Sequence, residues 1–393
     1  MLKQKSLLLV SIVVLILIGS GCGTVSKSKP IEKKPESQFG YQVIEDGAKV
    51  VFVFDEKIQN KSSVTSVNVA GTFNQWKVSN AWRLEQTSKG IWKLTVPTDE
   101  TCIPGNSGYA EFKFVVNGSV WVNPLPTTPS GYTFKGNNLI VFAGEGEDIE
   151  EIVAGIIAGE KIATTAKRAG DFDPENEEDR KTIANFRLVP ETDKLFRSYN
   201  PCRESRTYDS EVKRLEYVNE FLESNEVKSI ISVSGQYGSP PKYTVSEYMQ
   251  AIVDGKHFFS SEPSYESVYY ESDLAEFRNL IKGVVEFIIN PEHDAPFLVH
   301  CKIGTDRTGV VSAMIAALCG ASWEEICVDY QKSNEAGIEE YRSTKLLQYS
   351  LENMLKTKIT DEVDLKNIIS EYFIEGEYLT AVQIDALNAK LKN

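Results

Sequence analysis

Hydrophobic and polar positions change their period along the chain, and the change divides it. From Tyr41 to Phe142, short alternating runs are broken by Gly, Asn and Pro, the pattern of an all-β sandwich. Lys49–Asp55, Val64–Ala70, Gly90–Val96, Glu111–Val116 and Leu139–Phe142 are the predicted strands, dominated by aromatic and β-branched residues. After Gly146 an acidic stretch, Glu147–Glu151, leads into a Gly/Ala-rich segment, and Asp171–Arg180 is nearly all charge. Residues 146–182 therefore read as a charged linker between domains. From Ile183 onward, helical and strand patterns alternate. Glu211–Ser224 carries Val212, Leu215, Val218 and Leu222 at helical spacing, and a β-branched run, Ser229–Val233, follows. Asp273–Asn290 repeats the helical period. Phe297–His300 reads as a buried strand and Thr308–Cys319 as an apolar helix stopped by Gly320. Ser322 and Glu325, and again Thr380 and Gln383, have the spacing of a capping box. The expected fold is an all-β sandwich over 41–145 and an α/β domain with a central, mostly parallel sheet over 183–393.

The first forty residues have a different character. Lys3 and Lys5 precede an apolar run from Leu7 to Ile18, a basic region and a hydrophobic region of signal-peptide length. Gly19-Ser20-Gly21 then leads to Cys22. This resembles the lipobox of bacterial lipoproteins, although Gly19 stands where leucine is usual. The resemblance implies lipidation at Cys22, anchoring to a bacterial membrane and an extracytoplasmic location. An ordinary secretory signal or an uncleaved anchor are the other readings. Residues 1–22 are thus set apart as a signal and 23–40 as a polar tether.

Across 393 residues, 41% are hydrophobic and 25% charged, an ordinary globular balance. The net charge of -14 argues against nucleic acid as a partner, since binding its backbone needs basic patches. A phosphate pocket must then be locally positive on an acidic background. Beyond Cys22 the five cysteines are irregularly spaced without a CxxC pair, and three dispersed histidines complete the set. Neither a disulfide framework, a zinc site nor any other metal or cofactor is expected.

Residues 300–309, HCKIGTDRTG, join the predicted strand to the apolar helix. Strand, tight loop and helix N-terminus are what an oxyanion needs, because backbone N–H groups and the helix dipole converge there. Cys301 stands where strand becomes loop, so those donors and Arg307 would stabilise its thiolate. Gly304 lets the backbone approach a ligand closely. Arg307 can clamp two phosphate oxygens in a planar fork, which lysine could not. Thr308 offers a hydroxyl toward the sulfur. The chemistry that follows is a phosphocysteine intermediate, later hydrolysed by water.

His300, Cys301, Arg307 and Thr308 match residue by residue the His-Cys-x5-Arg-Ser/Thr signature of the protein tyrosine and dual-specificity phosphatase superfamily, which the chain resembles over roughly 183–393. It resembles in particular the bacterial tyrosine or lipid phosphatases with an HCxxGxDRTG loop. Asn185-Phe186-Arg187, Leu195–Ser198, Asp329-Tyr330, Ser333-Asn334 and a C-terminal helix around Ile384–Leu391 agree with it. The resemblance implies phosphate binding by Lys302, Ile303, Gly304, Thr305 and Thr308, support of the thiolate by His300, and Asp306 as the acid that protonates the leaving oxygen. Asp306 as a structural partner of the loop is an equal alternative, with Glu262, Glu266 and Asp273 as competing acids. Lys302 is a feature of relatives acting on inositol lipids, but their second lysine is Thr305 in this sequence. Arg187 and Arg197 are expected at the rim of the site or on the solvated surface.

Ala70–Trp76 (AGTFNQW), Glu111–Phe114, Trp121 with Pro124, and Asn137–Ile140 occur in an order similar to the glycogen- and starch-binding E-set domain, an immunoglobulin-like sandwich. The resemblance implies glucan binding by Trp76, Lys113, Trp121 and Asn137, unless the domain is a spacer. The expected function is a phosphomonoester hydrolase, foremost a protein tyrosine phosphatase. A phosphorylated protein or small phosphomonoester is its partner, and a glycogen- or starch-like glucan a second one. Glucan or inositol-phosphate dephosphorylation is the alternative. A carbohydrate-binding surface protein with a vestigial phosphatase domain is the reading from another class, against which the intact loop speaks.

Overall fold

The computed structural model describes residues 39–74, 76–101, 109–141, 148–202, 211–235, 246–338 and 341–392. Cys22, the signal-like segment and most of the tether lie outside these residues.

The alternating runs form a curled antiparallel sheet of nine strands: β1 (Tyr41–Ile44), β2 (Lys49–Asp55), β3 (Val67–Gly71), β4 (Arg83–Ser88), β5 (Ile91–Pro97), β6 (Tyr109–Val116), β7 (Val120–Val122), β8 (Thr133–Phe134) and β9 (Asn137–Val141). A single turn of helix, α1 (Thr98–Thr101), follows β5. The order β1-β2-β5-β4-β3-β6-β9-β8 is continuous, with β7 paired to β6. β4 pairs with both β5 and β3 and so joins the two halves of this order. The curl brings β2 against β6, where Phe52 meets Phe112 and Phe54 meets Phe114, each pair edge-on with centroids 5.3 Å apart.

The segment expected as a linker is helical. Residues Ile149–Thr165 form α2 and Glu177–Ala184 form α3. Asp148 caps α2 by accepting from Glu150 N, and Asn176 caps α3. Ile152 and Ile156 recur one turn apart and pack on Tyr109, Phe134 and Val141 of the β region. The Gly/Ala-rich composition hid a helix whose small residues let it lie close to its neighbours.

Next come β10 (Arg187–Leu188), β11 (Leu195–Ser198), α4 (Glu211–Ser224), β12 (Ser229–Ser232), α5 (Glu247–Asp254), β13 (Phe258–Ser260), α6 (Tyr265–Tyr269), α7 (Ala275–Ile289) and β14 (Phe297–His300). The chain ends in α8 (Asp306–Cys319), α9 (Trp323–Lys332), α10 (Thr344–Leu355), α11 (Leu365–Glu375) and α12 (Ala381–Leu391). The sheet order is β10-β11-β14-β12-β13, parallel except for β10. Thus β14 lies between two parallel neighbours, fully buried, and releases its loop at the carboxyl edge, where open parallel sheets place their ligands. Helix α8 is buried continuously from Thr308 to Cys319, which explains its apolar sequence on all sides. The capping boxes at Ser322 and Thr380 are both formed.

Candidate active site

The loop from Cys301 to Arg307 is held from behind by a buried polar network. The Arg197 side chain, on β11, has no exposed surface, and its Nη2 donates to the carbonyl of Gly304 at 2.7 Å. Asn185, which ends α3 in the left-handed conformation, donates from Nδ2 to the carbonyl of Ile303 at 3.3 Å. Two consecutive carbonyls are therefore turned into the protein. In a planar trans peptide the next N–H points the opposite way, so the N–H groups of Gly304 and Thr305 face away from this network. That is how the loop can present donors to an anion without a charged side chain for each.

Gly304 is the position where this geometry requires glycine. Its φ is +75°, and a Cβ would lie 2.4 Å from the carbonyl oxygen of Ser198.

Arg197 and Arg187, expected at the rim or surface, instead share the carboxylate of Asp329 on α9. Arg197 Nη1 lies 2.5 Å from Oδ2 and Arg187 Nε 2.6 Å from Oδ1. Both also donate to Ser333 Oγ, and Arg187 reaches the side chain of Asn185. Burial alone would raise the Asp329 carboxyl. The guanidiniums of Arg197 and Arg187 outweigh it and hold it below the usual carboxylate range. A buried charge needs partners of this kind, which is why two arginines stand on neighbouring strands.

On the other side of the loop lies a cleft of about 570 Å³, lined by Glu262, Pro263, Ser264, Tyr265, Cys301, Lys302, Ile303, Asp306, Arg307 and Arg342. Cys301 is buried at its floor and Lys302 is exposed. Arg307 donates from Nη1 to the Pro263 carbonyl at 3.3 Å, which ties the loop after β13 across the cleft. Thr305 and Thr308 are buried with their hydroxyls unpartnered. The Thr308 hydroxyl is thus not hydrogen-bonded to Cys301 as its place in the motif suggested.

His300 lies wholly inside. Burial depresses its imidazole to about 4, against the pull of the Cys301 carbonyl 3.1 Å from Nδ1 and with a further push from Arg307. A carbonyl only accepts, so Nδ1 carries the proton and the ring is neutral at physiological pH.

Asp306, the first residue of α8, enters the cleft but is not free. Oδ1 accepts from Arg342 Nε at 2.7 Å and from the Tyr269 hydroxyl at 3.1 Å. Among the competing acids, Glu262 lines the cleft and is exposed. Asp273 is held elsewhere, by Lys356 at 2.9 Å and Asn353 at 3.1 Å, and does not line it. Arg342, Tyr269 and Tyr265 carry no motif of their own in the sequence.

On the β region, Trp76 and Trp121 lie with ring centroids 6.3 Å apart at 44°, and Trp121 is 45% exposed. Lys113 donates to Asn123 at 2.9 Å and Asn137 to Glu111 at 2.6 Å. Lys113 and Glu111 are two apart on β6 and share a face.

Residues 167–392 match a family model described as a tyrosine phosphatase family. Among solved structures the chain is similar to the core catalytic domain of the PP-IP phosphatase SIW14 from S. cerevisiae in complex with citrate. The identity is 18% over 50% of this chain and 94% of that one, with a TM-score of 0.27. A second structure, of the Siw14 catalytic core, is similar at 18% identity over 50% and 93%, again with a TM-score of 0.27.

Proposed function

Since the chain belongs to the tyrosine phosphatase family, we propose that it hydrolyses phosphotyrosine and related phosphomonoesters through a phosphocysteine on Cys301. It is a cysteine-based phosphatase. The observation that carries the reading is the loop itself: Cys301 and Arg307 share one cleft, and Arg197 and Asn185 hold two loop carbonyls away from it.

In the first step the thiolate of Cys301 attacks phosphorus, forming the S–P bond as the P–O ester bond breaks. Arg307 and the loop N–H groups hold the oxygens of the transferring group, whose charge they stabilise in place of water. Asp306 gives its proton to the departing oxygen. In the second step water attacks phosphorus, Asp306 takes its proton, the S–P bond breaks, and inorganic phosphate and the thiolate result. Lys302, exposed beside the same cleft, supports inositol phosphates as a second substrate class.

The test is a leaving-group series. Asp306→Asn keeps the size and much of the hydrogen bonding, with one oxygen still accepting from Arg342, but removes the proton donor, which is worth roughly 10² to 10⁴ in rate for a basic leaving oxygen. The variant should lose little on p-nitrophenyl phosphate, more on phosphotyrosine and most on an inositol phosphate, while Cys301→Ser loses all three. Equal losses across the series would reject Asp306 as the acid and move the assignment to Glu262.

The β region we read as an E-set domain that binds glucan, a reading supported by the partly exposed Trp76–Trp121 pair and by Lys113 on β6, the strand that pairs with the one carrying Trp121. Flat aromatic faces flanked by hydrogen-bonding side chains suit a sugar ring.

A further inference from the structure

Tyr341 and Arg342 are consecutive residues in two different neighbourhoods. The Tyr341 ring packs with Tyr109, Phe134 and Ile156 at the seam between the β region and α2, its centroid 6.3 Å from that of Phe134. It lies over the buried Gly159 of α2, where a Cβ would stand 2.5 Å from the ring. One residue on, Arg342 binds Asp306 at 2.7 Å and lies with its guanidinium 5.8 Å from the centre of the Tyr265 ring. Its backbone is pinned by Asn334, which accepts from Arg342 N at 2.8 Å and donates to its carbonyl at 3.0 Å. The charge of Arg342 also reaches the β region. Burial raises the Glu111 carboxyl of β6, and the Asn137 hydrogen bond and Arg342 oppose that rise.

We infer that Arg342 is a positioning residue for the phosphatase reaction, holding Asp306 at the cleft wall, and that the β region takes part by seating Tyr341 against α2. A carboxylate at the start of a helix can adopt several rotamers, and only some of them face a leaving oxygen. The guanidinium, fixed at its backbone by Asn334 and flanked by Tyr265, selects one. The β region is then part of the catalytic apparatus rather than a detachable module. The inference rests on Asp306 being the acid.

Glycine at 159 makes the link testable without touching the cleft. Gly159→Ala places a methyl group where the Tyr341 ring now lies, in a helix that alanine favours over glycine. The ring has somewhere to go, because Tyr341 also lines a cavity of about 600 Å³. Gly155→Ala, one turn earlier, is the control, since a Cβ there meets nothing within 4 Å.

With the full chain and phosphotyrosine as substrate, Arg342→Gln should lower kcat by roughly tenfold or more with little change in KM, and Arg342→Lys should recover part of it. Gly159→Ala should lower kcat in the same direction and Gly155→Ala should not. In the Arg342→Gln background, Gly159→Ala should cost nothing further, because both act through one contact. Unchanged kcat in Arg342→Gln, with Asp306→Asn impaired, overturns the positioning role alone. Unchanged kcat in Gly159→Ala, or full additivity of the two, removes the β region from it. An unimpaired Asp306→Asn would instead refute the reading of the acid on which the inference stands.

Discussion

His300 should make the protein sensitive to acid in a defined window. The ring is wholly buried and depressed from its ordinary value of 6.5 to about 4. Above pH 6.5 neither the folded nor the unfolded chain protonates it, so it contributes nothing there. Between pH 6.5 and 4 the unfolded chain binds a proton that the folded one refuses. Stability therefore falls as pH falls, by about 1.4 kcal/mol for each pH unit. Over the whole window the loss is about 3 kcal/mol, a large part of the 5–15 kcal/mol typical of a folded domain. Below pH 4 both states are protonated and the term saturates. The Asp329 carboxylate, depressed by its two arginines, loses its contribution only below 3.8 and so acts in a lower window.

Urea unfolding followed by fluorescence at intervals from pH 7.5 to 4 measures this directly. His300→Asn is the reference, because its Nδ2 can stand in for Nδ1 toward the Cys301 carbonyl but does not titrate. The partly buried His293 is also depressed by burial, yet it is present in both proteins and cancels in the difference. The wild type should lose about 3 kcal/mol more than the variant across the window. Parallel curves would refute the reasoning, since they would mean that the folded chain protonates His300 as readily as the unfolded one.

Gly304→Ala should reduce kcat/KM on p-nitrophenyl phosphate by about 10²-fold or more, because a Cβ 2.4 Å from the Ser198 carbonyl must displace the loop; a variant within a fewfold of wild type would count against the described loop geometry. Trp121→Ala should weaken retention on glycogen in affinity electrophoresis without changing the melting temperature, since the ring is 45% exposed. Failure of the wild-type protein to be retained would reject glucan binding by the β region.

What the sequence disclosed and what it hid follow from how local each signal is. Strand β14, helix α4 and the capping boxes rest on neighbouring residues, and the pattern locates them to the residue. The loop 300–309 is equally local, so its nucleophile, glycine and arginine were legible together. Helix α2 was not, because its identity depends on a distant surface: Ile152 and Ile156 mean little until Phe134 and Val141 are there to cover them. Where each polar group would lie was hidden for the same reason. Arg187, Arg197, Asp329 and Ser333 stood out only as fragments shared with a family, and the natural guess for an arginine is the surface. Folding brings all four behind one loop, 132 residues separating Arg197 from Asp329. Arg342 had no signal at all, since an arginine between a tyrosine and a serine could belong anywhere. Its place is decided jointly by Asn334, Asp306 and the seating of Tyr341, three contacts from three parts of the chain. A motif fixes which atoms react, because those atoms must be neighbours in one turn. The residues that hold them in place are under no such constraint, and what each of them holds is revealed by the folded chain.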